Sequence, residues 1–128
     1  MGVLRVTPIG ELADVEFCYL TTHGRVSRSP HRIEIWFVAH DDGAYLLSNS
    51  PDADWYRNLV VEPNVTLEID GEHRATTARP VASDDAANAI VRPAMVAKYQ
   101  AGYPQEDLRE WSRTASLVRI DWPASPEA

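Results

Sequence analysis

At 128 residues the chain has the length of one ordinary domain built on one hydrophobic core, spanning residues 1–128 with its packed part at about 15–123. Apolar residues make up 45%, charged residues 24%, and the net charge is −7 at pH 7, a balance that argues against a general nucleic-acid or anionic-membrane binder. No apolar run reaches the roughly 18 residues of a membrane span, no basic-then-apolar leader opens the chain, and the lone Cys18 allows no internal disulfide, so a soluble cytoplasmic domain is expected.

Taken in chain order, residues 11–16 carry the pattern of a helical turn. Phe17–Thr22 is rich in aromatic and β-branched residues and predicts a strand. The stretch His23–Pro30 (HGRVSRSP) holds Gly24 and Pro30 and predicts a turn. Between His31 and His40 the pattern alternates, with Ile33, Ile35 and Phe37 on one face and Arg32, Glu34, Trp36 and Val38 on the other, which predicts a long strand. Asp41-Asp42-Gly43 is a hairpin turn leading into a strand at Ala44–Ser48. After the loop Asn49–Asp52, Asp52 is placed to cap a helix at Ala53–Val61, with Trp55 and Leu59 on one face and Pro63 beyond its end.

Asn64–Asp70 alternates again, with Val65, Leu67 and Ile69 inward, and Asp70-Gly71 turns it into a second hairpin. Ser83 is expected to cap an alanine-rich helix that runs to about Gln100 and is kinked or divided at Pro93. A short helix near Gln105–Arg113 and a last strand at Ser116–Trp122 complete the order. The tail Pro123–Ala128 reads as too polar and proline-rich to pack. Both Asp-Gly turns are too short for a parallel crossover, so about six strands form an antiparallel barrel of the mostly-β or α+β kind.

Most catalytic chemistries find no support in this pattern. There is no G-x-S-x-G elbow, no dinucleotide or Walker fingerprint, and Cys18 sits mid-strand as a small core residue. Histidines 23, 31, 40 and 73 lack the spacing of a zinc site, so no metal is expected. Asn58 reads as a helix residue capping the chain reversal at Pro63. One segment stands apart: Thr21–Ile33 holds Arg25, Arg28, Arg32, His23 and His31 and no acid. Guanidinium forks, a glycine that lets the backbone approach and hydroxyl donors together suit an anion.

The runs LTTHGRVSRSPH, IEIWFV, YLLS and DWYRNLVVEPNVTLEI, between about Thr21 and Arg79, resemble the deazaflavin (F420)-dependent nitroreductase and quinone reductase family; WSRTASLVRI is a weaker echo. The resemblance implies a split β-barrel of about six antiparallel strands with short helices, related to the flavin-mononucleotide-binding, pyridoxamine-phosphate-oxidase-like barrels, and a homodimer. It implies coenzyme F420, with flavin mononucleotide as the alternative, and hydride transfer to a small nitro compound, quinone or activated alkene. A carrier that binds cofactor or an apolar ligand without turnover is the reading from a different class.

By position, the resemblance assigns the cofactor's phosphate and acidic tail to Arg25, Ser27 and His31. Arg28 stands where the family commonly has glycine and could supply the charge lost at Val26, where the family often has lysine. Trp36 is implied to flank the deazaflavin ring, Ser48 to meet it, and Trp55 and Tyr56 to close over it from the short helix. Tyr56 and Tyr99 are the candidate proton donors beside solvent, with Tyr103 also near the implied substrate pocket.

Overall fold

A computed structural model describes residues 7–124. Seven strands, β1 (Cys18–His23), β2 (Pro30–Ile35), β3 (Val38–His40), β4 (Gly43–Ser48), β5 (Asn64–Ile69), β6 (Glu72–Pro80) and β7 (Ser116–Asp121), form one antiparallel sheet. Three helices accompany it: α1 (Asp54–Val61), α2 (Ala87–Tyr99) and α3 (Leu108–Thr114). The strand order is β2-β1-β5-β6-β7-β4-β3. The two edge strands are therefore consecutive in the chain, separated by Trp36 and Phe37 alone. An extended step from Ile35 to Val38 spans at most about 11 Å. The two edges must approach at that corner, and the sheet curls into a half-barrel.

This corner corrects the single strand expected over His31–His40. Side-chain alternation continues through the corner, but the hydrogen-bonding partner changes from β1 to β4. Phe37 is fully buried in the barrel interior with Leu20, Leu46, Leu67, Ile69, Val118 and Ile120, and Ile33 and Ile35 pack against that cluster. Trp36 and Val38 face a second cluster, in which Tyr45, Leu47 and Leu117 from the outer side of the sheet meet Val91, Met95 and Tyr99 of α2 and Leu108 of α3. Strand β4 feeds both cores and is buried along its whole length, which is why it reads as an unbroken apolar run.

Two hairpins keep the sheet antiparallel. Asp41 and Asp42 (φ 50° and 58°) and Asp70 and Gly71 (φ 52° and 80°) take the paired left-handed conformation of a type I′ turn. In the first hairpin Gly43 already pairs with His40, so the turn is Asp41-Asp42.

Helix ends differ from expectation in an instructive way. Asp52 caps nothing: Ala53 is the cap residue of α1, and the Asp52 N–H donates to Ser50 Oγ at 3.0 Å. Ser83 does not cap α2 either; Asp85 Oδ1 accepts the Ala87 N–H at 2.9 Å. Helix α2 runs through Pro93 undivided. Pro93 and Ala89 are both exposed, so the carbonyl that would have received the missing N–H is open to water.

Asp107 caps α3 by accepting the Arg109 N–H at 3.0 Å. Arg92 on α2 donates Nη1 to the Ser112 and Ala115 carbonyls at 2.6 and 2.8 Å. Those carbonyls have no helical partner, and the guanidinium fixes α3 against α2. The packed part begins earlier than residue 15, because Ile9 and Leu12 are buried in the inner core. Pro123 is half-buried and its carbonyl accepts Arg74 Nε at 2.9 Å, so the tail is anchored at its first residue. Residues 1–6 and 125–128, the rest of the two expected tails, lie outside the described residues.

Candidate functional site

The acid-free segment becomes a compact loop between β1 and β2. It is closed by the Gly24 N–H to the Ser29 carbonyl and by the Arg28 N–H to the Gly24 carbonyl, both at 2.8 Å. Gly24 is buried, and a Cβ there would lie 2.5 Å from Ser27 Oγ and 2.8 Å from His31 Nε2. Only glycine lets those two side chains converge. Arg28 sits at φ 63°, in the left-handed region that favours glycine.

Arg25 is the loop's anchor. Its Nη1 donates to Asn58 Oδ1 at 2.8 Å, its Nη2 pairs with Asp54 Oδ1 at 3.2 Å, and its backbone N–H donates to Asn58 Oδ1 at 3.2 Å. Asn58 is buried, and its Nδ2 donates to Thr22 Oγ1 at 3.3 Å. One amide thus ties β1, the loop and α1 together. The Asn58 carbonyl accepts the Glu62 N–H at 2.8 Å at the end of α1, but its side chain is held by Arg25 and Thr22, which corrects the reading of Asn58 as a cap for the reversal at Pro63. A guanidinium has five N–H donors, and two are given to α1, so the rest remain for an anion.

Two clefts meet beneath α1. The first, about 690 Å³, is lined by Gly24, Arg25, Ser27, His31, Arg32 and Trp55 among others. The second, about 510 Å³, is lined by Trp36, Trp55, Trp111, Leu47, Leu108 and the carboxylates of Glu34, Glu106 and Asp107. Trp55 borders both, and the pair of clefts adjoining at that indole is the candidate groove. Arg28 lines a third cleft with His23, Gly24, Arg25 and Glu62. The Glu62 carboxyl is held below its usual pKa chiefly by the backbone and side-chain hydrogen bonds of Asn64, with the charges of His23 and Arg28 adding.

Arg25, Ser27, His31 and Trp55 thus share one cleft, Trp36 and Trp55 the next, and Arg28 lines a third that shares Gly24 and Arg25 with the first. Ser48, Tyr56 and Tyr99 line none of these clefts. Ser48 is buried and its Oγ donates to the Ser50 carbonyl at 2.6 Å. Tyr56 packs on the inner core, edge-on to Trp55 at 6.3 Å. Tyr99 is buried: its hydroxyl donates to the Glu16 carbonyl at 2.6 Å and accepts the Phe37 N–H at 3.1 Å, and burial raises its pKa. Its ring stacks on Trp36 at 4.3 Å and 4°. Tyr103 leans on Trp36 at 4.8 Å. Tyr99 therefore sets the corner and the Trp36 plane. Replacing Tyr99 by phenylalanine should lower stability by about 1–3 kcal/mol in a denaturant melt, since the buried Phe37 N–H and the partly buried bond to the Glu16 carbonyl lose their partner, and should leave turnover near that of the parent.

Trp111 on α3, edge-on to Trp36 at 5.7 Å and 88°, completes the indole wall and was not singled out by sequence reasoning. Its signal was present: Trp111 follows Leu108 by one helical turn on the face turned to the sheet. The lone lysine has a distinct setting too. Lys98 Nζ donates to the Phe37 carbonyl at 2.9 Å and lies 3.8 Å from the Phe37 ring centre, and burial lowers its pKa to about 8. A folded-state pKa below the unfolded value of 10.5 means the unfolded chain holds more protons between about pH 8 and 10.5. The parent should therefore gain stability relative to Lys98→Met as pH rises through that window, which paired melts at pH 7.5 and 9.5 would measure.

The sequence profile of the F420H(2)-dependent quinone reductase family matches residues 4–116. None of the curated proteins matches the chain. Among solved structures, the heme storage protein HutZ of Vibrio cholerae is 21% identical, with 92% of this chain and 90% of that one covered and a TM-score of 0.68. A conserved hypothetical protein of Mycobacterium tuberculosis is 20% identical over 93% and 84% of the two chains, with a TM-score of 0.68. The F420-H2 dependent reductase FDR-A is 15% identical over 94% and 100%, with a TM-score of 0.60. These likenesses establish the split-barrel fold.

Proposed function

The chain belongs to the F420H(2)-dependent quinone reductase family, and from that premise we propose that its groove binds F420 along the line from the basic loop to the indoles and reduces a small electron-poor acceptor: a quinone, nitro compound or activated alkene. The observation that supports the reading is the place of Trp55, which lines both a cleft with guanidinium, imidazole and hydroxyl donors and a cleft walled by indoles. The donors fit the cofactor's acidic tail, since Arg25, Ser27 and His31 line one cleft whose carboxylate, Asp54, is already paired with Arg25; Arg32 lines the same cleft but is paired with Glu68 at 3.3 Å.

When bound, the reduced cofactor supplies a hydride. In this reading Arg25 and His31 hold the anionic tail with Ser27 beside them, and Arg28 extends the positive field into the neighbouring cleft. Trp36 and Trp55 fix the ring plane, and Leu47 and Leu108 keep that end dry. Solvent supplies the proton that completes reduction, because the Tyr99 hydroxyl is spent on backbone partners. A homodimer is part of the proposal and is tested by sedimentation. The test of function is anaerobic: reduced F420 mixed with protein and a soluble quinone should lose its reduced absorbance in proportion to enzyme. Tight binding of F420 with no acceptor reduced would make the protein a carrier.

A further inference from the structure

Arg25 is a largely buried cation with little charge set against it. Its side chain is 22% exposed, and its one ion pair among the described residues is with Asp54, whose side chain is 85% exposed and screened by water. The carboxylate of the third cleft, Glu62, is turned to the backbone N–H and Nδ2 of Asn64. What grips the guanidinium from inside is a neutral group. Asn58 is 3% exposed; its Oδ1 accepts both the Arg25 backbone N–H and Nη1, and its Nδ2 donates to the fully buried Thr22. Both Arg25 partners are donors, so the amide oxygen must face them. An aspartate has the same shape and would make every one of these bonds, with the Thr22 hydroxyl donating instead of accepting. Bonds from a guanidinium to a carboxylate are also stronger than those to an amide. If the residue only held the loop, the acid would hold it better. The amide holds Arg25 and leaves its charge standing, which is unfavourable away from water until an anion arrives.

We propose that Asn58 is a positioning residue that acts through Arg25: it aims the guanidinium and, by being neutral, keeps its charge available to the cofactor's acidic tail. The inference rests on the function proposed above and adds the residue that sets affinity at that site. Affinity then follows the charge carried by the two side chains that Arg25 binds, Asn58 inside and Asp54 at the rim.

The test exchanges those charges without changing shape. Asn58→Asp should weaken F420 binding about 10- to 100-fold in a fluorescence titration and flatten its salt dependence, while its urea midpoint stays at or above the parent's. Asp54→Asn should tighten binding about two- to fivefold. The double exchange returns one acid and one amide to Arg25 and should bring affinity back to within about threefold of the parent, which a residue that merely props the loop does not predict. F420 bound by Asn58→Asp as tightly as by the parent would overturn the inference. If that variant does not fold, an Asp54→Asn affinity equal to the parent's overturns it instead. A parent that fails to bind F420 would defeat the function, and inorganic pyrophosphate then decides the inference. Pyrophosphate should shift the Arg25 Nε–H resonance of the parent and not that of Asn58→Asp; an equal shift in both, or none in the parent, would defeat it.

Discussion

Replacing Arg25 by alanine should weaken F420 binding about 10- to 100-fold in a fluorescence titration, the scale of about 1.5–3 kcal/mol for a hydrogen bond to a charged group. The geometry gives this residue two roles that push the same way. Its guanidinium faces the loop cleft, and its bonds to Asn58 and Asp54 hold the loop against α1. Lysine should restore only part of the affinity, because an ammonium cannot hold Asn58 and Asp54 on one planar fork and still face an anion. A thermal melt of the same variants separates the roles: loss of affinity at 25 °C in protein that is still folded belongs to the site. Affinity unchanged in Arg25→Ala would remove the residue from the binding machinery.

The largest stability effect is expected at Phe37→Ala, about 3–5 kcal/mol, the range for deleting a fully buried aromatic ring. Phe37 is 0% exposed and stands at the corner where the chain leaves one sheet edge and reaches the other. Its ring fills the inner core, while its backbone receives Lys98 and Tyr99 from α2. Truncation opens a cavity at the point that makes the sheet a half-barrel, so unfolding midpoints in urea should fall sharply. Leu20→Ala lacks the second role and should cost less, within the 2–5 kcal/mol of buried leucines. A Phe37→Ala protein as stable as the parent would show that the corner is held by the backbone alone.

Local signals carried most of the strands. Aromatic and β-branched composition placed β1, alternation placed β5, and Asp and Gly turn residues placed the two hairpins, because each of these is a local requirement. The corner at Trp36-Phe37 was invisible for a physical reason: side chains keep alternating between the two cores while the hydrogen-bonding neighbour changes, and neighbours are a non-local property. Capping misled at Asp52 and Ser83: α1 starts after Ala53 with no side-chain cap, the Ser50 hydroxyl bonding Asp52 ahead of it, and Asp85 takes the first N–H of α2. The basic loop was legible from its charge pattern. Asn58 was not, since a single amide in a helix gives no sign that it reaches a strand 36 residues away. Ser48 and Tyr99 were read as groove residues from the resemblance, and both turn their hydroxyls to backbone carbonyls.

The most direct test of the account is equilibrium titration of the purified protein with F420 and, separately, with flavin mononucleotide, followed by quenching of tryptophan fluorescence. Trp36, Trp55 and Trp111 line the groove, so F420 should quench saturably, and added salt should weaken the binding as expected for an anionic tail on arginine. Flavin mononucleotide quenching as tightly as F420, or neither molecule quenching at all, would contradict it.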